Sequence, residues 1–191
     1  MKNSNIFKGI PVLETDNYIL RGVMEKDVSE LFVFLSDKET MKFITPHPIR
    51  TETETASAVQ GYLQNYQEQK EIPWVIMDKK NSRLIGQFRF HKLNMWHKKT
   101  EMNVVIGKEH QSIGVMTELM KEVLEFGFEM LGLNRIAGDI FAGNERSEKL
   151  LNKYGFHKDG IMRQTDFDGE KYHDTVVYSM VREEYYAGKL Q

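Results

Sequence analysis

The spacing of apolar residues in the first third of the chain predicts one strand followed by two helices. Asn17–Val23 is short and rich in β-forming residues, which is typical of a strand. From Lys26 to about Ser36, apolar residues recur at helical spacing, at Val28, Leu31, Phe32 and Leu35. A second helix is expected to begin near Thr51, because Thr51 and Glu54 have the spacing of a capping box.

The middle of the chain changes to a pattern that predicts an antiparallel meander. Three strand-like segments are separated by turn residues, at Trp74–Met77, Arg83–Phe90 and Glu101–Ile106. A helix is then expected from about Gly114 to Leu131, with Gly132 as its stop. Its apolar stripe consists of Met116, Leu119, Met120, Val123, Leu124 and Phe128.

The last third predicts a strand, a short helix and a closing pair of strands. These segments are Arg135–Phe141, Asn144–Tyr154, Phe156–Met162 and Thr175–Val181. The whole order is β-α-α-β-β-β-α-β-α-β-β, or about seven strands and four helices. We therefore expect an α+β fold, a single domain over residues 1–191 with helices on the faces of one mixed, mostly antiparallel sheet.

The composition excludes several classes of protein function but does not identify one. A chain of 191 residues fits one domain with its own core, and a net charge of −2 gives no basic footprint for nucleic acid. The absence of cysteine excludes a disulfide scaffold, a thiolate nucleophile and a cysteine-based zinc site. No apolar run is long enough for a membrane helix, and the N-terminus lacks an apolar signal core, so we expect a cytoplasmic protein without a membrane partner.

One strand–loop–helix segment carries candidate chemistry. The sequence NVVIGKEHQSIGVMTELM runs from an apolar strand, through a loop with Gly107 and Gly114, directly into a helix. Unpaired N–H groups and the positive dipole end at a helix start favour an anion such as a phosphate. The segment lacks the Gly-Lys-Ser/Thr of a Walker A loop and the G-x-G-x-x-G of a dinucleotide fingerprint.

Four segments along the chain, taken together, match the pattern of one enzyme family. They are GIPVLETDNYILR at 9–21, QSIGVM at 111–116, LNRIAGDIFAGNERSEKLLNKYGFHKDG at 133–160 and DGEKYHDTVVYSM at 168–180. QSIGVM resembles the Q/R-x-x-G-x-G/A pyrophosphate loop of the GNAT superfamily of N-acetyltransferases. All four, in order and along nearly the whole chain, resemble its RimJ/RimL-like branch of ribosomal-protein acetyltransferases.

The resemblance implies acetyl-CoA as co-substrate, no metal, and a coenzyme-binding core at about 101–160. It implies a sheet splayed at the coenzyme, and a bulge in the strand around Val104–Ile106 would splay that strand from Arg135–Phe141. The pantetheine arm would then pair with exposed strand backbone. The implied coenzyme-binding residues are Val104, Val105, Ile106, Gln111, Ser112, Ile113, Gly114, Val115, Met116, Thr117, Asn144 and Ser147.

The chain departs from the family pattern at several positions. Ser112 and Ile113 stand where the family usually has Gly and a basic residue, and Met116 replaces the final Gly/Ala. Leu151 occupies the position where many relatives carry a tyrosine, which removes that residue as a general acid. The resemblance implies that Ser147 is the proton donor to the departing thiolate, with Tyr154 as the alternative.

Two carboxylates are the candidate general bases. Glu101 opens the strand that enters the coenzyme loop, and Asp166 lies in the closing hairpin where relatives place a carboxylate. A solvated surface carboxylate is the competing interpretation for both, and a water relay would make neither essential. Asn144 is also an ordinary helix N-cap, and the Ser147 hydroxyl is also a typical helix-start group. Pro46-His47-Pro48 is expected to shape the acceptor side.

The function that follows is acetyl transfer from acetyl-CoA to a primary amine by direct attack in a ternary complex. A protein or peptide N-terminal α-amine is the expected acceptor, because it is neutral at pH 7 far more often than lysine. A small-molecule amine, a non-catalytic acyl-CoA-binding domain and a purely structural domain are the alternatives. The Trp96–His97 turn is either acceptor wall or the contact of a homodimer.

Overall fold

The computed structural model describes residues 6–189. Eight strands form one sheet in the order β1-β2-β3-β4-β5-β6-β8-β7. Neighbouring strands are antiparallel except β5 and β6, which are parallel. The strands are β1 (Leu13–Glu14), β2 (Tyr18–Gly22), β3 (Ile72–Asp78), β4 (Arg83–Asn94), β5 (Lys99–Ile106), β6 (Arg135–Phe141), β7 (His157–Phe167) and β8 (Tyr172–Val181).

Helices cover both faces of the sheet. Those within the described residues are α1 (Val28–Leu35), α2 (Lys38–Met41), α3 (Glu52–Gln67), α4 (Val115–Glu125), α5 (Glu145–Lys153) and α6 (Arg182–Lys189). α1 to α3 bury Leu31, Met41 and Val59 against Val75 and Val105 on one face. α4 continues as a π-helical turn and buries its apolar stripe against the other face.

The larger core is aromatic and centres on Trp74. Its indole lies 5.9 Å from the Phe88 ring and 5.5 Å from the Phe126 ring, centroid to centroid. Trp74 and Phe88 are completely buried, and Phe126 comes from the π-helical turn after α4. Because aromatic side chains bury large apolar areas, this cluster fixes α4 against β3 and β4 and thereby fixes the loop that precedes α4.

The parallel strands β5 and β6 separate partway along their length. Their pairing covers Lys99–Glu101 with Arg135–Ala137 and stops there. On its other side β5 stays in continuous register with β4 from Glu101 to Ile106, so the bulge expected at Val104–Ile106 is wrong. At the point of separation, a Cβ on Gly138 would lie 3.1 Å from Leu151 Cδ1 and 3.8 Å from Met102 Cε. The strands therefore separate where the Leu151 and Met102 side chains lie against Gly138, and β5 contains no extra residue.

The predicted α+β fold and the order of its elements are confirmed, with three additions. The three elements that were not predicted are β1, α2 and α6. β1 has two residues and α2 has four, which is too short to show a periodic apolar pattern. α6 is longer but buries only the Tyr185 side chain, so it has no apolar stripe. Residues 1–5 and 190–191 of the expected domain lie outside the described residues. Among residues 6–189, no helix is long and apolar enough to cross a membrane.

Candidate active site

An open cleft of about 1120 Å³ lies where β5 and β6 separate. Its walls are the diverging strands, the loop before α4, the first turns of α4 and α5, and the segment from Glu39 to Ile44. Of the residues expected to bind coenzyme, those that line it are Val104, Val105, Ile106, Gln111, Ser112, Gly114, Val115, Met116, Thr117, Asn144 and Ser147. Ile113 does not line it and is 61% exposed.

The loop before α4 has the backbone of an anion site. Ser112 and Gly114 both adopt left-handed conformations, with φ of 64° and 94°. Gly114 caps α4 without any side-chain hydrogen bond, so the first N–H groups of the helix are left for a ligand. Met116 is 9% exposed and packs into the core, which explains how a large residue replaces the usual Gly/Ala without filling the cleft.

Gln111 links the loop to two neighbouring elements. Its Nε2 donates to the Ile106 carbonyl at 2.9 Å, at the end of β5. Its Oε1 accepts from Arg146 Nη1 at 2.9 Å, in the first turn of α5. The Gln111 amide therefore holds an exposed guanidinium beside the loop that would receive a pyrophosphate.

The start of α5 faces the same cleft. The Asn144 side chain caps α5 by accepting from the Ser147 N–H at 3.3 Å, so the capping interpretation holds while its NH2 group has no described partner. Ser147 is half-buried in the cleft wall. The Tyr154 hydroxyl instead donates to the Thr117 carbonyl, which ties α5 to α4. Burial raises the pKa of the Tyr154 phenol.

Basic side chains surround the loop end of the cleft. Four exposed basic side chains line it, those of Lys108, Arg146, Lys149 and Lys153. Together with the uncapped helix start they suit the negative charge of a pyrophosphate. The unpaired edges of β5 and β6 suit the amide groups of a pantetheine arm. The residues present therefore fit acetyl-CoA.

Glu101 lies next to the cleft but does not line it. Its carboxylate pairs with Lys92 Nζ at 2.7 Å and lies 3.9 Å from His91 Nε2 across the β4–β5 ladder. Burial, with help from the Arg89 and Lys92 charges, lowers the pKa of His91 to about 4. At neutral pH the His91 imidazole is therefore uncharged, and it lies beside a Glu101 carboxylate that is ion-paired with Lys92.

Asp166 also lies outside the cleft lining. It accepts from the Thr175 hydroxyl at 2.5 Å and from the Thr165 hydroxyl at 3.1 Å, on the β7–β8 hairpin. The neighbouring His173 ring bonds Asp168 and packs 4.5 Å from the Phe141 ring. Backbone N–H groups of the turn and His173 hold the pKa of Asp168 well below its usual range.

Asp139 is a cleft carboxylate that the sequence analysis missed. It lies on β6, two residues beyond the last β5–β6 pair, and lines the cleft. Desolvation, followed by the charge of Glu101, raises its pKa. The available signal was an acidic residue inside the apolar strand RIAGDIF, a position that a buried strand does not favour.

Two other segments singled out in the sequence lie outside the cleft lining. Pro46-His47-Pro48 lines a separate, smaller cavity, and the cleft wall on that side is made by Phe43 and Ile44. The Phe43 ring lies 6.2 Å from Phe141, across the end of β6. Trp96 at the β4–β5 turn is 88% exposed. Among residues 6–189, no three His, Asp or Glu side chains are grouped as a metal site.

Comparison with known proteins identifies the family. Residues 17–157 match the Acetyltransferase (GNAT) domain family. The uncharacterized N-acetyltransferase YoaA of Bacillus subtilis is 35% identical over 172 residues, which cover 90% of this chain and 97% of YoaA.

Two solved structures show the same fold. The coenzyme A complex of RimL, a ribosomal L7/L12 α-N-protein acetyltransferase, has a TM-score of 0.82 at 17% identity and covers 90% of this chain and 98% of its own. Spermidine N-acetyltransferase from Vibrio cholerae, with CoA and spermine, has a TM-score of 0.80 at 21% identity and covers 89% and 98%. The chain thus belongs to the GNAT acetyltransferase family and is an acetyl-CoA-dependent N-acetyltransferase.

Proposed function

We propose that the protein transfers the acetyl group directly to the N-terminal α-amine of a protein or peptide, in a ternary complex. The observation that carries this proposal is the open cleft between β5 and β6, which runs from the uncapped start of α4 to the wall formed by Phe43 and Ile44. We place the coenzyme at the start of α4 and the acceptor beside Phe43 and Ile44, which line the same cleft. Because the chain has no cysteine, no acyl-cysteine intermediate is formed.

In this proposal, some of the cleft residues bind the coenzyme and others take part in the acetyl transfer. The backbone at 112–117 receives the pyrophosphate, and Gln111 keeps Arg146 beside it. The backbone of Val104–Ile106 pairs with the pantetheine arm and gives an N–H to the oxygen of the tetrahedral intermediate. The free amide NH2 of Asn144 contacts the pantetheine. Ser147 returns a proton to the departing thiolate.

The acceptor proposal rests on amine acidity and on an open cleft. An α-amine with a pKa near 7.8 is roughly one-tenth neutral at pH 7, whereas a lysine near 10.4 is neutral in about 0.04% of molecules. A peptide end therefore needs less help from a base. An open cleft leaves room for the rest of a peptide, and the RimL structure shows this fold in an α-N-protein acetyltransferase.

A small polyamine is the second candidate. The acidic side chains Glu39, Asp139 and Glu145 line the same cleft and would attract a polycation. The Vibrio cholerae structure shows the same fold with CoA and spermine. A non-catalytic acyl-CoA-binding domain is the third candidate, and it differs from both because it would turn over no amine.

Melting with and without acetyl-CoA is the first test. A ligand at a hundred times its Kd adds about 2.7 kcal/mol, or a rise in Tm of roughly 5–11 °C for a domain of this size. We expect that rise, and a smaller one for Asn144→Ala. No rise at millimolar acetyl-CoA would reject the proposed coenzyme site.

Thiol release then separates the acceptors. Coenzyme A is detected with a thiol reagent, against a protein that contributes no thiol of its own. Short peptides with free α-amines are compared with the same peptides blocked at the N-terminus, and with spermine. Turnover of free peptides alone supports the proposal, turnover of spermine alone supports the second candidate, and coenzyme binding without turnover of either supports the third.

A further inference from the structure

Three carboxylates converge where β5 and β6 separate. Glu101 opposes Ala137 in the last parallel pair, and Asp139 lies two residues further along β6, on the same face. On β8, Val177 is the register partner of Asp139 and Thr175 is that of Phe141. Thr175 in turn bonds Asp166 of β7. The three side chains therefore share one face of the sheet.

Two of the three carboxylates are already engaged. Glu101 is paired with Lys92 at 2.7 Å, and Asp166 accepts hydrogen bonds from two threonine hydroxyls. Within residues 6–189, the Asp139 carboxylate has neither a hydrogen bond nor a salt bridge, and only the backbone of Asp139 is paired, with Val177 on β8. It is also the only one of the three that lines the cleft. A base must reach the amine within hydrogen-bond distance, or through one water, so geometry favours Asp139.

We infer that Asp139 is the general base that takes the proton from the acceptor ammonium. This inference rests on the proposed function. The amine N–H bond breaks and its proton goes to an Asp139 carboxylate oxygen. The freed lone pair then attacks the thioester carbonyl and the C–N bond forms. As the tetrahedral intermediate collapses, the C–S bond breaks and the nitrogen loses its second proton, which leaves the neutral amide. The thiolate takes one proton from the Ser147 hydroxyl, which regains one from that released by the nitrogen, so the hydroxyl ends as it began. Asp139 later releases its proton to solvent, so the net products are the amide, coenzyme A and one proton.

The neighbours of Asp139 tune it for this task. Desolvation, then the charges of Glu101 and Asp166, raise its pKa, while Lys92 and Arg135 oppose the rise. A carboxylate with a raised pKa holds a proton better, which brings a base closer to the working pH. Glu101 and Asp166 are therefore positioning residues in this mechanism: they set the charge around Asp139 from β5 and β7.

The pH dependence of Asp139→Asn tests the inference. At pH 6.5 an α-amine is almost wholly protonated and needs a base, whereas at pH 9 it is largely neutral. We expect kcat/KM of Asp139→Asn to fall about 100-fold or more at pH 6.5, with a deficit that shrinks to less than about tenfold at pH 9. Asp139→Glu should restore part of the activity at pH 6.5. Asp16→Asn, the same change at an exposed site outside the cleft, should leave the profile unaltered.

An equal loss at both pH values, or no loss, would overturn the role of Asp139. If no tested amine is turned over, the proposed function fails separately, and the carboxylate itself is then titrated. The 13C carboxyl resonance that disappears in Asp139→Asn should titrate above about 3.9, the ordinary value for aspartate. A midpoint at or below that value would also overturn the inference. The acetyl-CoA melting shift of Asp139→Asn, expected to match wild type, shows that the fold and coenzyme site survive.

Discussion

Gln111 holds Arg146 at the loop end of the cleft, with 2.9 Å between the amide oxygen and Nη1 of the guanidinium. The same amide donates to the Ile106 carbonyl at 2.9 Å. Gln111 thus connects the end of β5, the coenzyme loop and the start of α5. The family motif gives only the residue type at position 111, whereas the structure shows that Gln111 positions the Arg146 guanidinium.

Replacing Gln111 should weaken coenzyme binding more than it slows chemistry. Gln111→Ala removes two hydrogen bonds and frees Arg146. A typical net contribution of about 0.5–1.5 kcal/mol per bond, or about 1–3 kcal/mol for both, predicts a rise in KM for acetyl-CoA of about 5–150-fold. Steady-state kinetics at saturating acceptor would measure it, with Gln67→Ala at an exposed site on α3 as control. A fall in kcat with KM unchanged would show that Gln111 acts elsewhere.

The two left-handed residues of the loop should respond in opposite directions to substitution. Gly114→Ala meets no atom within 4 Å, so its cost comes from φ alone and should be about 1–2 kcal/mol of stability. Ser112→Gly places the residue that favours positive φ at a φ of 64° and should leave stability equal or improved. Urea unfolding of both variants checks this. A stable Gly114→Ala that binds acetyl-CoA as wild type does would contradict the proposed loop geometry.

Ser147 and Tyr154 can be separated as proton donors. The Tyr154 hydroxyl is committed to the Thr117 carbonyl, so Tyr154→Phe should cost about 0.5–1.5 kcal/mol of stability while kcat stays within a few-fold of wild type. Ser147→Ala should keep the helix cap, which uses the backbone N–H, and lower kcat by about tenfold or more. The reverse ranking of the two kcat values would assign the acid to Tyr154.

His91 should make the fold sensitive to mild acid. Its pKa is lowered from 6.5 to about 4 by burial first and then by Arg89, with Lys92 adding and Glu101 opposing. Between those values the unfolded chain binds a proton that the folded protein refuses, so stability falls as pH drops from about 6.5 to about 4. The loss should be on the order of 2 kcal/mol after allowance for partial exposure.

The variant His91→Gln isolates this effect. Urea midpoints at pH 7 and pH 4.5 should differ less in His91→Gln than in wild type, because the substituted side chain does not titrate. His97→Gln, at the exposed β4–β5 turn, is the matched control and should keep the wild-type difference. Equal pH sensitivity in all three proteins would mean that carboxylates alone cause the acid loss.

The local pattern of the chain predicted most of the elements and pointed to the loop before α4. Helical spacing identified α1, α3, α4 and α5, and the QSIGVM motif identified the helix start that faces the cleft. These features depend on residues a few positions apart, and periodicity reports such neighbours directly. The same spacing could not reveal α2, which is a single turn held by the Asp37 side chain accepting from the Thr40 N–H.

Tertiary structure alone decided which acidic group belongs to the cleft. Glu101, Asp139 and Asp166 lie on three different strands. Glu101 pairs with Lys92, and Asp166 accepts from Thr165 and Thr175. Near the point where β5 and β6 part, Met102 of β5 and Leu151 of α5 both lie close to Gly138 of β6. A motif records the type of each residue, but these relationships join segments tens of residues apart. Pairing and packing fix them, so the sequence pointed to the loop before α4, while the folded sheet decided which carboxylate lines the cleft.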